Sequence, residues 1–231
     1  MNLTTTIALL GGNEFHDGCR VADSTILELT GQERPNIKIL PTANIHHPDI
    51  AADNGVQYFS DLGFNSTKLM ITNREAANNP ENASELSSCD LLYLPGGSPQ
   101  YLFECLYNTC LVEEIIKRAS QGMIIAGSSA GAMVMGELLK NPPQGTWGKG
   151  LGLISNFGVI PHHENADHQK TFEELKEVVF SDHPEAIICG ISIESGCIVQ
   201  GSKISVIGNS DLILYRSSGY SKYRFDQSLS L

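Results

Sequence analysis

The 231-residue sequence predicts an α/β fold, with a mostly parallel sheet covered by helices on both faces. Strand-length apolar runs alternate with helical patterns along most of the chain, which is typical of a parallel sheet. These runs end in Gly or Pro, which marks a loop at the carboxyl end of each strand. After about residue 185, short strands with tight turns predict a hairpin-rich C-terminal edge.

The elements follow from the apolar runs in chain order. Buried parallel strands are predicted at residues 6–10, 37–40, 91–94 and 123–126, and helices at 21–29, 50–62 and 111–119. The polar stretch 72–88 is predicted as a surface connection or a short helix. Later strands are predicted at 158–160, 187–193, 197–200, 204–207 and 212–215. The polar stretch from Ser217 onwards is expected to fray.

Composition limits the class of protein. With 41% hydrophobic residues, residues 1–231 can bury one core, so a single domain is predicted. A net charge of -11 argues against nucleic acid and anionic membrane as partners, because no basic stripe exists to neutralise phosphates. The six cysteines form no C-x-x-C pair and are expected to be reduced and buried. With no signal peptide and no membrane-spanning run recognised, the expected location is the cytoplasm.

The stretch Gly127-Ser128-Ser129-Ala130-Gly131 is the most informative motif. It lies between a predicted strand and an apolar, helix-like run, which is the setting of a G-x-S-x-G nucleophile elbow. In such an elbow a sharp turn exposes the central serine, here Ser129. The backbone N–H groups at the start of the following helix then lie where an oxyanion would form. A strand-to-helix turn that is merely rich in small residues is the alternative.

A nucleophilic serine needs a base and, usually, an acid that orients the base. His162 follows the short strand 158–160 and Pro161, so we expect it to lie at the end of a strand, as Ser129 does. Glu194 ends an apolar run and is the favoured acid; Glu137 and Glu164 are its rivals. The N–H groups of Gly97, after the strand 91–94, and of Ala130 are the predicted oxyanion donors.

Other assignments of the same residues remain open. His162, His163, Glu164, Asp167 and His168 are all capable of binding a metal, although the H-E-x-x-H spacing is not met. A metal-dependent hydrolase using this cluster is therefore an alternative. A triad in the order serine, acid, histidine, which is typical of α/β-hydrolases, would use Asp167 and His183 instead.

Taken in order, five segments resemble the serine peptidase family of peptidase E (aspartyl dipeptidase) and cyanophycinase. They are Leu9-Leu10-Gly11-Gly12-Asn13-Glu14-Phe15, Leu40-Pro41-Thr42-Ala43, Leu94-Pro95-Gly96-Gly97, Gly127-Ser128-Ser129-Ala130-Gly131-Ala132 and Gly158-Val159-Ile160-Pro161-His162. The resemblance implies a fold like that of class I glutamine amidotransferases. It also implies a Ser129–His162–Glu194 triad that works through an acyl-enzyme, without a metal or other cofactor.

The resemblance has departures that bear on the substrate. His163 stands where the family usually has an aromatic residue, and the stretch after it, residues 167–172, lacks the arginine that holds an acidic substrate. His163, His168 and Lys170 are the predicted substrate-binding residues, but neither His168 nor Lys170 offers a bidentate fork to a carboxylate. The predicted substrate is thus a small peptide without an assigned aspartyl preference. A catalytically silent binding homologue on the same fold is the second hypothesis. A homodimer is a further prediction, although the sequence does not determine the oligomeric state.

Overall fold

The computed structural model describes residues 5–141, 145–225 and 227–230. The outer residues of the predicted 1–231 domain, and part of the stretch after Ser217, lie outside these ranges. The strands are β1 (Thr6–Leu10), β2 (Ile37–Ile39), β3 (Ser66–Lys68), β4 (Leu91–Leu94), β5 (Ile124–Ser128), β6 (Gly136–Asn141), β7 (Thr146–Lys149), β8 (Ile154–Ile160), β9 (Ile187–Ile191), β10 (Ser195–Gln200), β11 (Lys203–Gly208), β12 (Leu212–Arg216), β13 (Gly219–Tyr223) and β14 (Ser228–Ser230). The helices are α1 (Arg20–Leu29), α2 (Pro48–Asp61), α3 (Arg74–Ala77), α4 (Pro80–Ser84), α5 (Pro99–Leu106), α6 (Cys110–Ser120), α7 (Ala130–Met135) and α8 (His168–Val178).

These strands form two sheets. The larger has the order β14-β11-β10-β1-β5-β4-β2-β3, in which β1 to β5 pair in parallel and β10, β11 and β14 add an antiparallel edge. The smaller has the order β13-β12-β9-β8-β6-β7, with parallel pairing only among β6, β8 and β9. The α/β fold class predicted from the sequence is confirmed.

The core explains why the central strands are apolar throughout. Successive residues of β1, β4 and β5 alternate between two buried clusters, one on each face of the larger sheet. One cluster includes α1 and α2 side chains; the other includes those of α5, α6 and α7 and the inner face of the smaller sheet. A third cluster packs α8 on the opposite face of the smaller sheet. Strands covered on both faces have no solvent side, so they lose the polar alternation.

Two expectations about the C-terminal part need correction. The hairpin strands do not all extend the parallel sheet, because β9, β12 and β13 belong to the smaller sheet. Within the described part of the stretch after Ser217, β13 pairs antiparallel with β12, and β14 pairs with β11. This stretch is therefore ordered by backbone pairing with strands that are themselves buried.

The parallel pairing brings three loops to one edge of the larger sheet. Leu10 of β1 lies beside Ser128 of β5, and Leu94 of β4 lies beside Gly127. The loops after β1, β4 and β5 consequently start next to one another, at the edge where open α/β sheets place their ligand sites. Over the described ranges, no helix combines the length and apolar character needed to cross a membrane.

Candidate active site

Ser129 forms the turn between β5 and α7. Its backbone has φ 49° and ψ -110°, a conformation that L-residues rarely adopt and that costs about 1–3 kcal/mol. Its N–H donates to the carbonyl of Leu10, 3.0 Å away. A Cβ at Gly131 would lie 2.1 Å from the Leu94 carbonyl oxygen, so only glycine lets α7 approach β4 so closely. The turn therefore has the strained, tightly packed geometry of a nucleophile elbow.

His162 lies directly over this turn. Its Nε2 atom is 3.0 Å from Ser129 Oγ, which is hydrogen-bond distance. Its backbone also has a positive φ, 53°, and its N–H donates to the carbonyl of Gly11 at 2.9 Å. The structure thus brings together the serine and the histidine that the sequence singled out.

The Glu194 carboxylate has a different partner from the one expected of an orienting acid. Its Oε1 accepts a hydrogen bond of 2.6 Å from Asn13 Nδ2, and its Oε2 lies against Gly18. Among the described side chains, no hydrogen bond or ion pair joins Glu194 to His162. The Glu194 backbone, with φ 57°, donates its N–H to the carbonyl of Gly12 at 3.2 Å.

One short segment holds the backbones of all three residues. The consecutive carbonyls of Leu10, Gly11 and Gly12 accept the N–H groups of Ser129, His162 and Glu194 respectively. These carbonyls lie where β1 ends, and they fix three turns that are far apart in the sequence. The relative positions of the three residues are therefore set by backbone hydrogen bonds to one loop.

The rival acids accept hydrogen bonds from backbone N–H groups. Glu137 accepts the N–H of Asn156 at 2.8 Å, and Glu164 accepts that of Ile193 at 3.2 Å. Asp167 caps α8 by accepting the N–H of Lys170 at 3.0 Å. In the described ranges, no group of three or more His, Cys, Asp or Glu side chains is arranged to hold a metal ion.

The two residues whose N–H groups are predicted to donate to an oxyanion lie in neighbouring loops of the larger sheet. Ala130 follows Ser129 directly, and the neighbouring loop after β4 holds Gly97, whose N–H has no hydrogen-bond acceptor among the described residues. The N–H of Gly96, in contrast, is already bonded to a Glu14 carboxylate oxygen at 2.6 Å. Sequence reasoning assigned no role to Glu14 or Asn13, although both lie in the Gly-Gly segment that follows β1.

The predicted substrate-binding residues separate into two groups. His163 is buried, and its Nε2 is 2.7 Å from the hydroxyl of Tyr215, which also lies 3.2 Å from His168 Nδ1. Burial lowers the pKa of His163 to about 4, with a smaller effect from His168, so the ring is neutral at pH 7. The Lys170 side chain is exposed and faces Glu174 on the same helix.

A polar cleft of about 310 Å³ begins at His163 and Glu164, next along the chain to His162, although Ser129 and His162 do not line it. Both signs of charge are present, since the ammonium of Lys222 is 2.5 Å from a carboxylate oxygen of Asp211. His163 and His168 line this cleft together with the following residues: Glu164, Ser192, Asn209, Ser210, Asp211, Ile213 and Lys222.

Comparison with known proteins gives a consistent answer. The model of peptidase family S51 matches residues 7–207. A cyanophycinase from Geminocystis herdmanii is 26% identical over 218 residues, which cover 89% of this chain and 78% of the relative. A peptidase E from a Nostoc species is 26% identical over 168 residues, 68% and 66% of the two chains. The crystal structure of a peptidase from an acI-B1 actinobacterium superposes with a TM-score of 0.84 at 24% identity, covering 100% and 99% of the two chains.

Proposed function

Because the chain belongs to peptidase family S51, and so is a peptidase, we propose that it hydrolyses small peptides with Ser129 as the nucleophile. The observation that carries this proposal is the 3.0 Å contact between Ser129 Oγ and His162 Nε2. At this distance the imidazole can take the hydroxyl proton as the oxygen attacks the scissile carbonyl. It then returns the proton to the leaving amine, and water hydrolyses the acyl-enzyme.

The N–H groups of Gly97 and Ala130 are the proposed donors to the developing oxyanion. Ala130 is the first residue of α7, where a backbone N–H has no intrahelical partner. Donors fixed before the reaction need no reorganisation as charge develops, which makes this a large contribution to catalysis.

Glu194 is the proposed acidic partner of His162. Its support is that Gly11 and Gly12, which are adjacent, hold the His162 and Glu194 backbones. A carboxylate on this turn would stabilise the imidazolium formed during proton transfer. Hydrogen bonds of this kind are often long without substrate and shorten in the complex. The backbones of the rivals Glu137 and Glu164 are not bonded to the Gly11–Gly12 segment, which favours Glu194 over both.

The proposed substrates are small polar peptides. The relatives are named cyanophycinase and peptidase E, but the α8 region of this chain has no arginine to bind an acidic side chain. The polar cleft beside His163 and Glu164 has a mixed charge, because Lys222 and Asp211 both line it. A mixed charge favours polar over strictly anionic ligands. All six cysteines are free thiols, which supports a reducing compartment, and we propose the cytoplasm.

A fluorophosphonate probe tests the nucleophile directly. We expect the wild-type protein to be labelled on Ser129, Ser129→Ala to be unlabelled, and His162→Ala to react at least about 100-fold more slowly. The exposed Ser155→Ala is the matched control and should react like the wild type. Intact-protein and peptide mass spectrometry locate the adduct. Labelling of Ser129→Ala at the wild-type rate would refute the proposal. No labelling of the wild type would favour the silent binding homologue.

A further inference from the structure

Glu14 connects two turns of the site through its two carboxylate oxygens. Oε1 accepts the N–H of Gly96 at 2.6 Å, and Oε2 accepts the hydroxyl of Ser128 at 2.8 Å. Gly96 belongs to the loop after β4, and Ser128 is the last residue of β5. One side chain from the loop after β1 therefore ties together the loops that follow the other two central strands.

Both contacts are one residue away from a group proposed to take part in the reaction. Gly96 precedes Gly97, whose N–H is a proposed oxyanion donor, and Ser128 precedes Ser129. Ser128 is fully buried, so its hydroxyl needs an internal partner. Hydrogen bonds to a carboxylate are roughly twice as strong as those between neutral groups, so the two contacts can fix the spacing between the two turns.

The negative charge of Glu14 disfavours formation of the oxyanion, whereas its hydrogen bonds hold the turn that contains the proposed oxyanion donor. A Cβ built at Gly96 would lie 2.8 Å from Glu14 Oε1 and 3.4 Å from Ser129 Cβ, so the carboxylate is close to the nucleophile. The ion pairs found among the described residues do not include Glu14. A negative charge beside a developing oxyanion disfavours it. What Glu14 contributes must therefore come from the geometry of its hydrogen bonds.

We propose that Glu14 is a positioning residue, which holds the Gly96–Gly97 turn at a fixed distance from the Ser129 turn. This inference rests on the proposed function, since it assumes that Ser129 reacts and that Gly97 donates. Glutamine can reproduce both contacts: its carbonyl oxygen accepts from Gly96, and its NH₂ group donates to the Ser128 hydroxyl, which is also an acceptor. Alanine removes both contacts.

The test compares Glu14→Ala with Glu14→Gln by fluorophosphonate kinetics, with the maximal labelling rate and the half-saturating probe concentration measured separately. For Glu14→Ala we expect the maximal rate to fall about tenfold or more, because the oxyanion donor is misplaced. The half-saturating concentration should change less than about threefold, since the probe pocket is kept. Glu14→Gln should recover the rate to within about threefold of the wild type.

The control pair is Asp90→Ala and Asp90→Asn, which make the same charge changes at a carboxylate that accepts the N–H of Asn36 at 2.7 Å, at the amino end of β4 and so at the opposite end of that strand from Gly96; both should label like the wild type. Thermal unfolding of every variant identifies a global loss of fold. If Glu14→Ala reacts like the wild type, the proposal is wrong. If Glu14→Gln is as slow as Glu14→Ala, the charge matters instead of the geometry, and the proposal is also wrong. Neither outcome affects the Ser129→Ala result, which tests the nucleophile alone.

A second variant tests one contact even if Glu14→Ala does not fold. Ser128→Ala removes the hydroxyl that donates to Oε2 and leaves the Gly96 contact in place. We expect its labelling rate to fall about threefold to tenfold, and the loss to be smaller in a Glu14→Gln background, where the contact is already weaker. A wild-type rate for Ser128→Ala, or fully additive losses, would show that the two side chains do not act as a unit.

Discussion

Gly12→Ala should disable the site through one added methyl group. Gly12 has φ +124°, and a Cβ there would lie 2.3 Å from His162 Cε1. Ordinary contact starts at 3.4 Å, so the ring has to move by about 1.1 Å. The Ser129–His162 distance is 3.0 Å, and a shift of that size away from the serine takes it to about 4 Å, beyond hydrogen-bond reach.

The expected loss follows from this displacement. A misplacement of about 1 Å can lower a rate about 100-fold, so we expect Gly12→Ala to label that much more slowly with a fluorophosphonate. The unfavourable φ adds a cost of about 1–3 kcal/mol in stability. Gly122→Ala separates the two effects, because Gly122 has a similar φ of +110° but nothing within 4 Å of the added methyl group.

Labelling rates and urea unfolding of the two variants give the answer. Both variants should lose stability, and only Gly12→Ala should lose reactivity. If Gly12→Ala reacts at the rate of Gly122→Ala, the His162 ring can move without consequence. The 3.0 Å contact would then not be the feature that controls reactivity.

Two further predictions concern buried polar groups. Burial raises the pKa of Asp23 from its usual 3.8 to about 7, so the folded state keeps a proton that the unfolded state has lost between these values. The free energy of unfolding should fall as pH rises from 5 to 7, and Asp23→Asn should gain about 2 kcal/mol over the wild type in that interval; parallel urea-unfolding profiles would contradict this. Tyr215→Phe removes the hydroxyl 2.7 Å from His163 Nε2 and should lower the free energy of unfolding by about 1–3 kcal/mol, because a buried ring nitrogen loses its partner. The more exposed Tyr220→Phe is the control, and an equal loss there would count against the explanation.

The sequence alone was sufficient to predict the central strands and the turn that contains Ser129. The strand predicted at residues 6–10 is β1, and the one at 91–94 is β4. Such runs are recognisable because burial on both faces removes every polar position. The small residues of the Ser129 turn are equally recognisable, because close backbone packing excludes larger side chains.

The smaller sheet was harder to recognise. The apolar run after Gly131, Ala132 to Met135, was predicted as a buried helix and lies within α7, but no element was predicted for the segment from Gly136 onwards, which is β6. A short apolar run has the same composition as a buried helix or a buried strand, so periodicity does not separate them. Only pairing with β8, which comes later in the chain, makes this segment a strand.

The contacts of Asn13 and Glu14 could not be derived from local patterns. Asn13 meets Glu194 across 181 residues of sequence, and Glu14 meets Gly96 and Ser128 across 82 and 114. Polar residues after a Gly-Gly turn resemble any surface loop. The available signal was their place after a central parallel strand, at the edge where the other strands also end.

The carbonyls of Leu10, Gly11 and Gly12 also determine when during biosynthesis the site is complete. The residues that bond to them leave the ribosome in the order Ser129, His162 and Glu194. The loop after β1 therefore lacks these partners until the later segments have been synthesised. Residue 194 is kept in place by β10, which pairs with β1 and closes the central sheet. A nascent chain that stops short of β10 therefore lacks the last of the three attachments, and the proposed hydrolase would become competent only after β10 has been made and has paired with β1.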